Sequence, residues 1–164
     1  MKLKLLTLMI MASFTSYAQT KKETIDWLNS KFESSPIIRN SLYQSTRFLK
    51  INANGDFSVQ EYEYATNVPF PDSKNYSGKT LFTGSFKDLS PSSVRAKQIY
   101  GEIFIFASCT SGKCITQQDQ GPDYETYKTS DIAIGVISDP SLQIRCEKAF
   151  IHLIKLSGGK KEAF

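Results

Sequence analysis

Near the C-terminal end of the chain, apolar side chains fall at Leu142, Cys146, Ala149, Phe150, Leu153 and Leu156. That spacing is the stripe by which an α-helix faces a core. Asp139-Pro140 ahead of it supplies a capping oxygen and a proline at the first turn; Gly158-Gly159 behind it suits a left-handed C-terminal cap. One other segment has a helical period. Thr20-Lys21-Lys22-Glu23 fits a capping box, Ile25, Leu28 and Phe32 repeat at i, i+3 and i+7, and Ser34-Ser35-Pro36 stops the run. Trp27 beside that stripe is expected to dock the helix on a sheet. Between the two helices the pattern is that of strands, with no alternating strand and helix. The class this predicts is α+β: an N-terminal helix, a largely antiparallel sheet or partly open barrel of about six strands, and a C-terminal helix packed on it.

The strands read as follows. Residues 47–51 and 57–64 flank Asn52-Ala53-Asn54-Gly55-Asp56, and Asn54-Gly55 suits the two positive-φ positions of a type I′ hairpin turn. As a calcium loop the same stretch fails, because its glycine precedes the third oxygen ligand and no terminal glutamate follows at the required distance. Residues 67–79 read as a loop, in which Asn75-Tyr76-Ser77 has the form of a glycosylation sequon. Further strands are expected over 80–86 and from Val94. Tyr100–Cys109, the segment richest in β-branched and aromatic residues, reads as a central strand. After Cys114–Gln117, a long polar loop is expected from Gln118 to Ser130, then a short buried strand over 132–137.

The N-terminus sets the compartment. Lys2 and Lys4 precede an apolar run from Leu5 to Phe14, and Ser16-x-Ala18 offers small residues at −3 and −1 of a cleavage site. This is the form of a secretory signal peptide over 1–18, leaving a single domain over 19–164. The apolar run is too short to cross ~30 Å of hydrocarbon, so no integral anchor is expected once the leader is removed. Removing Lys2 and Lys4 lowers the formal charge from +4 to +2. Lys21-Lys22 and Lys160-Lys161 are isolated pairs rather than a basic stripe, which argues against nucleic acid as a partner. The implied location is periplasmic or secreted.

In an oxidising compartment a close cysteine pair bridges. Cys109 and Cys114 flank a four-residue turn, which brings their Cα atoms near the ~5.5 Å a disulfide needs. The spacing is not the Cys-x-x-Cys of redox enzymes. Cys146 lies on the apolar face of the last helix, and His152, the sole histidine, stands about 120° round the same helix, so the two form no local dyad. One histidine also rules out the usual zinc sets and a serine triad, and no glycine-rich phosphate loop precedes a helix. No catalytic residue, cofactor or metal ligand is therefore assigned. Carboxylates remain: Asp119, Asp123, Glu125 and Asp131 in or beside the polar loop, and Glu61 and Glu63 on one strand face. Among the tyrosines Tyr62, Tyr64, Tyr76, Tyr100, Tyr124 and Tyr127, the two in the polar loop offer large contact area at small entropy cost. Tyr124, Tyr127 and Asp123 are the candidate ligand contacts.

The segments Lys22–Asn29, Cys146–Leu156 and the tail Gly158–Phe164 resemble small exported proteins of Bacteroidota. Phe86-Lys87-Asp88-Leu89-Ser90, followed by strands and a closing helix, resembles the layout of pleckstrin-homology-like barrels, to which an extra N-terminal helix is added here. That resemblance implies a binding module and names no ligand. Taken with the residues, it points to an exported non-enzymatic binding or envelope-associated module whose partner is a protein, peptide or glycan. The alternative is a small hydrolase using loop carboxylates or a thiol.

Overall fold

The computed structural model describes residues 19–39, 43–65, 77–121 and 124–159. The leader over 1–18, the sequon residues Asn75 and Tyr76, Asp123 and the Lys160-Lys161 pair lie outside them.

Helix α1 spans Lys21–Phe32 and begins as expected: the Thr20 hydroxyl accepts from the Glu23 N–H, and Glu23 Oε2 accepts from the Thr20 N–H at 2.8 Å. Ile25, Leu28 and Phe32 are buried. Trp27 packs against the edge of the shared core. Arg145 of the C-terminal helix stacks over its ring at 5.1 Å, so Trp27 ties helix to helix at the margin of the core.

Nine strands follow among the described residues, all paired antiparallel. The expected sheet of about six strands is present, in the order β1 (Ile38–Arg39), β2 (Tyr43–Ile51), β3 (Asp56–Ala65), β4 (Gly78–Ser85), β7 (Ile115–Asp119) and β8 (Thr126–Thr129). A second sheet stands beside it, in the order β5 (Arg95–Ile99), β6 (Glu102–Ser108), β9 (Asp131–Ile137). The two do not close into a barrel. The chain passes between them at one corner, where β6 leads to β7 and β8 leads to β9 through Ser130. There the Cys109 N–H donates to the Ser130 carbonyl at 2.7 Å and the Thr110 N–H to that of Asp88 at 2.9 Å. On the other side Arg47 of β2 donates to the Ala133 carbonyl of β9 at 2.8 Å.

Both helices and both sheets share one core. Four phenylalanine rings run through it: Phe57 meets Phe86 at 5.3 Å, Phe86 stacks on Phe150 at 6.0 Å, and Phe150 meets Phe32 at 5.5 Å. Gly135 of β9 makes room for the last of these, since a Cβ there would run into the edge of the Phe32 ring.

Two turns exchange roles. At Asn52–Asp56 only Gly55 has positive φ (89°), with the Gly55 N–H bonded to the Asn52 carbonyl and the Asn52 N–H to that of Asp56. This is a three-residue loop ending in a left-handed glycine, not type I′. Asn52 Oδ1 selects it by accepting from the Asn54 and Asp56 N–H groups. The two-residue turn with both φ positive is Tyr100-Gly101 (52° and 85°), between Ile99 and Glu102. Those two residues were expected inside a strand.

The polar stretch from Gln118 to Ser130 is not wholly a loop. β7 runs on to Asp119, and β8 pairs with it from Thr126 to Thr129. β8 is an edge strand with Thr126, Tyr127 and Lys128 exposed, so its backbone pairing leaves no apolar alternation to read.

The C-terminal helix α2 (Gln143–Leu156) follows a 3₁₀ turn at Pro140–Leu142, capped by Asp139. It buries Cys146, Ala149, Phe150, Leu153 and Ile154. Leu156, expected in the core, is 42% exposed and Ile154 is buried instead, so the covered arc is turned round the helix from the one the stripe implied. The helix ends in a Schellman motif: Gly158 has φ 91°, its N–H reaches the Lys155 carbonyl, and the Gly159 N–H reaches that of Ile154.

Candidate functional site

The inner face of the six-stranded sheet changes character along its strands. One row across it, Leu49–Val59–Phe82–Gln117–Tyr127, is apolar at the β2 end and polar at the β8 end. The next row is Arg47–Glu61–Thr80–Asp119, and the one after it Ser45–Glu63–Gly78. Because side chains alternate along a strand, three consecutive same-face rows step from the core into a polar patch. Glu61, Glu63, Asp119 and Tyr127, read separately from the sequence, are brought together there.

Arg47 closes the core. Its guanidinium meets Glu61 through Nε–Oε1 at 3.0 Å and Nη2–Oε2 at 2.6 Å, and lies over the Phe82 ring at 5.4 Å. Both side chains are about 15% exposed. The bidentate fit and the Ala133 carbonyl satisfy most of what this buried cation can donate.

Asp119 is held from three sides. Thr80 Oγ1 (3.1 Å) and Gln117 Nε2 (3.4 Å) donate to its Oδ1, and the Tyr127 hydroxyl donates to Oδ2 at 3.2 Å. Gln117 Nε2 also donates to the Tyr127 hydroxyl at 2.5 Å. Lost hydration and the Asp119 carboxylate push the Tyr127 phenol above its ordinary pKa.

Glu63 is the outlier. It is half-buried, with its carboxylate over Gly78, where a Cβ would come within 3.2 Å of Oε2. Its carboxyl makes no hydrogen bond or ion pair among the described residues. Burial raises its pKa first, Glu61 and Asp119 raise it further, and Arg47 opposes them.

The remaining candidates lie elsewhere. Tyr124 is 65% exposed and makes no ring contact or hydrogen bond to Tyr127. Tyr64 is buried, Tyr62 packs on Phe48 at 6.1 Å across the outer sheet face, and Tyr100 sits in its turn. Asp131 belongs to the corner between the sheets, where Ser108 and Ser130 donate to it and hold its carboxyl below the ordinary range. Cys109 and Cys114 are bridged, with Cα atoms 5.8 Å apart. The bridge does not staple a hairpin, since β6 and β7 belong to different sheets; it pins the corner. Cys146 is buried, which pushes its thiol to about 11. The ring of His152 bonds through Nε2 to the Gln19 carbonyl at 2.8 Å, on the far side of α2. Among the described residues no group of three or more His, Cys, Asp or Glu side chains is placed to hold a metal ion.

The chain matches no family model, no curated protein and no solved structure. The chemistry of the polar patch therefore has to speak for itself. It offers a rigid, negatively biased surface: Glu61 is neutralised by Arg47, whereas Asp119 and Glu63 have no cation paired with them among the described residues. Arg47, Thr80 and Gln117 went unread in the sequence. Arg47 was legible in principle, because the loop at 52–56 sets the register that puts it opposite Glu61. Thr80 and Gln117 were not, since they enter through pairings between segments far apart in the chain.

Proposed function

We propose that the protein is an exported, non-enzymatic binding module that takes a donor-rich segment of a peptide or glycan against the polar end of its six-stranded sheet. The observation that carries this reading is Glu63: a half-buried carboxylate without a partner among the described residues, beside an Asp119 fixed by three donors. A ligand hydroxyl or ammonium group would satisfy Glu63, and Tyr127, 43% exposed at the sheet edge, would supply contact area. Export is supported by the Cys109–Cys114 bridge, which suits an oxidising compartment, and by the leader-like residues 1–18. No described helix is long and apolar enough to cross a membrane.

Oligosaccharides and lysine-containing peptides, screened by calorimetry against the purified protein, test the reading. A binder whose affinity falls on Glu63→Gln and on Tyr127→Ala is the expected result. Binders indifferent to both substitutions, or none at all, would remove it.

One observation favours the hydrolase alternative. A carboxyl with raised pKa beside a second carboxylate is the arrangement general acid–base hydrolysis uses. Turnover of a bound oligosaccharide, abolished by either Glu63→Gln or Asp119→Asn, would move the protein to that class. Its thiol branch lacks support, because Cys146 is buried and the other two sulfurs are bridged.

A further inference from the structure

Opposite its buried stripe, α2 carries Ile144, Lys148, Ile151 and Lys155 at spacings of four, three and four, with Arg145, His152 and Leu156 alongside. These residues span about 140° of the helix. Ile144 is 62% exposed, so two kinds of side chain share this face: bare aliphatics and cations. Trp27, under the Arg145 guanidinium, forms one wall of a groove of about 570 Å³ that Lys148, Ile151, His152 and Lys155 also line.

Acids are turned away or offset. Glu147, the one acid of α2, accepts from the Ala96 N–H at 2.7 Å, on the β5 side. Across the groove on α1, Asp26 is paired with Lys22 at 2.6 Å and Glu23 is engaged in the capping box. The groove lining holds three fixed cations and one histidine, with no carboxylate.

Gln19 lies on the same face, its carbonyl accepting from His152 Nε2.

We propose that the outer face of α2 docks on an anionic lipid surface. Arg145, Lys148 and Lys155 meet headgroup phosphates, while Ile144, Ile151 and Leu156 enter the headgroup–acyl boundary. A helix with basic and aliphatic residues on one exposed side lies in such an interface, held by charge and by buried apolar area together. The long lysine and arginine stems reach the phosphates without burying their charges. This surface shares no residue with the polar patch around Glu63, so the inference goes beyond the ligand site and either can fail alone.

The protein as isolated from an exporting cell, its N-terminus read by intact mass, is floated with vesicles of phosphatidylcholine alone and of phosphatidylcholine mixed with phosphatidylglycerol. Binding to the mixed vesicles only, weakening as salt is added, is expected. Reversing two charges, Lys148→Glu with Lys155→Glu, is expected to lower partitioning ~30-fold or more. Ile144→Ser with Leu156→Ser should weaken binding to the same vesicles while leaving its salt dependence in place. Both pairs are at the surface, and native protection of the Cys146 thiol checks that each variant is folded. Equal binding to both vesicle types, as an apolar leader alone would give, overturns the proposal. So does binding unchanged by charge reversal, no binding to mixed vesicles at low salt, or a dimer that the same reversal dissolves.

Discussion

Arg47 on β2 lies directly opposite Glu61 on β3, its guanidinium meeting both carboxylate oxygens where the buried half of the inner sheet face turns polar. The same guanidinium reaches the Ala133 carbonyl, so one side chain joins the two sheets and bounds the core. Such a pair stabilises less through its attraction than it costs to leave half of it behind, because an unpaired charge would remain at a largely dehydrated site.

That asymmetry sets the first prediction. Glu61→Ala is expected to destabilise the protein by about 3–5 kcal/mol in urea unfolding, and Arg47→Ala by a similar amount. The double replacement Arg47→Met with Glu61→Leu should cost far less than the sum. Single substitutions within about 1 kcal/mol of the parent would mean that solvent reaches the pair freely.

Tyr100 shows where local sequence and structure part. It is the one described non-glycine residue with positive φ, at 52°, and it is 61% exposed, so no packing compensates the strain. Tyr100→Asn suits the first position of a type I′ turn and is expected to raise stability by about 0.5–1 kcal/mol. A thermal melt of the variant checks it; a lower melting temperature would mean that the tyrosine ring contributes more than the turn loses.

The same turn explains which parts of the fold were legible. Asn54-Gly55 carried the familiar hairpin signal and formed a hairpin, but Asn52 bonds its own loop and selects another turn. Tyr100-Gly101 carried no such signal, and the pairing of β5 with β6 forces a tyrosine into a left-handed position. The helices could be read because periodicity, caps and terminators all agree within each segment. β8 could not, because it is held by main-chain bonds to β7 and shows three consecutive exposed side chains. Of the polar patch, the acids were visible one by one, but their meeting depends on β4 pairing with β7 across the 29 residues between Ser85 and Ile115. No local pattern encodes that.

Glu63 predicts a conflict between stability and binding. Its carboxyl is held above the ordinary pKa first by burial, then by Glu61 and Asp119. A group whose folded pKa exceeds its unfolded one binds its proton more tightly when folded, so stability falls as pH rises from the ordinary carboxylate range through the folded value, and stays lower above it. Glu63→Gln removes that penalty. The variant is expected to melt higher than the parent at neutral pH, with the gap closing below about pH 4, the ordinary glutamate range. Melts across this range check the sign, and calorimetry on the same variant reads the loss of ligand. A variant that melts lower at neutral pH would mean that Glu63 has a cationic partner in the folded protein.

The sulfur atoms give the last prediction. Cys109 and Cys114 close a short loop, so reducing the bridge removes little chain entropy from the unfolded state, about 2 kcal/mol by the loop-closure relation. What it releases is the corner where both β6–β7 and β8–β9 change sheets, held there by the Cys109 to Ser130 bond. Cys146 lies on the buried face of α2 with its thiol pushed to about 11, so it is neither accessible nor ionised at neutral pH. Alkylation read by mass spectrometry should therefore give no label on the native protein, one after unfolding without reductant, and three after unfolding with reductant. A label on the native protein at neutral pH would expose one of these thiols as reactive and return the thiol-hydrolase reading to contention. If the native protein stays unlabelled but Cys109→Ser with Cys114→Ser lowers stability by much more than the entropic figure, the bridge acts mainly by fixing the corner between the sheets.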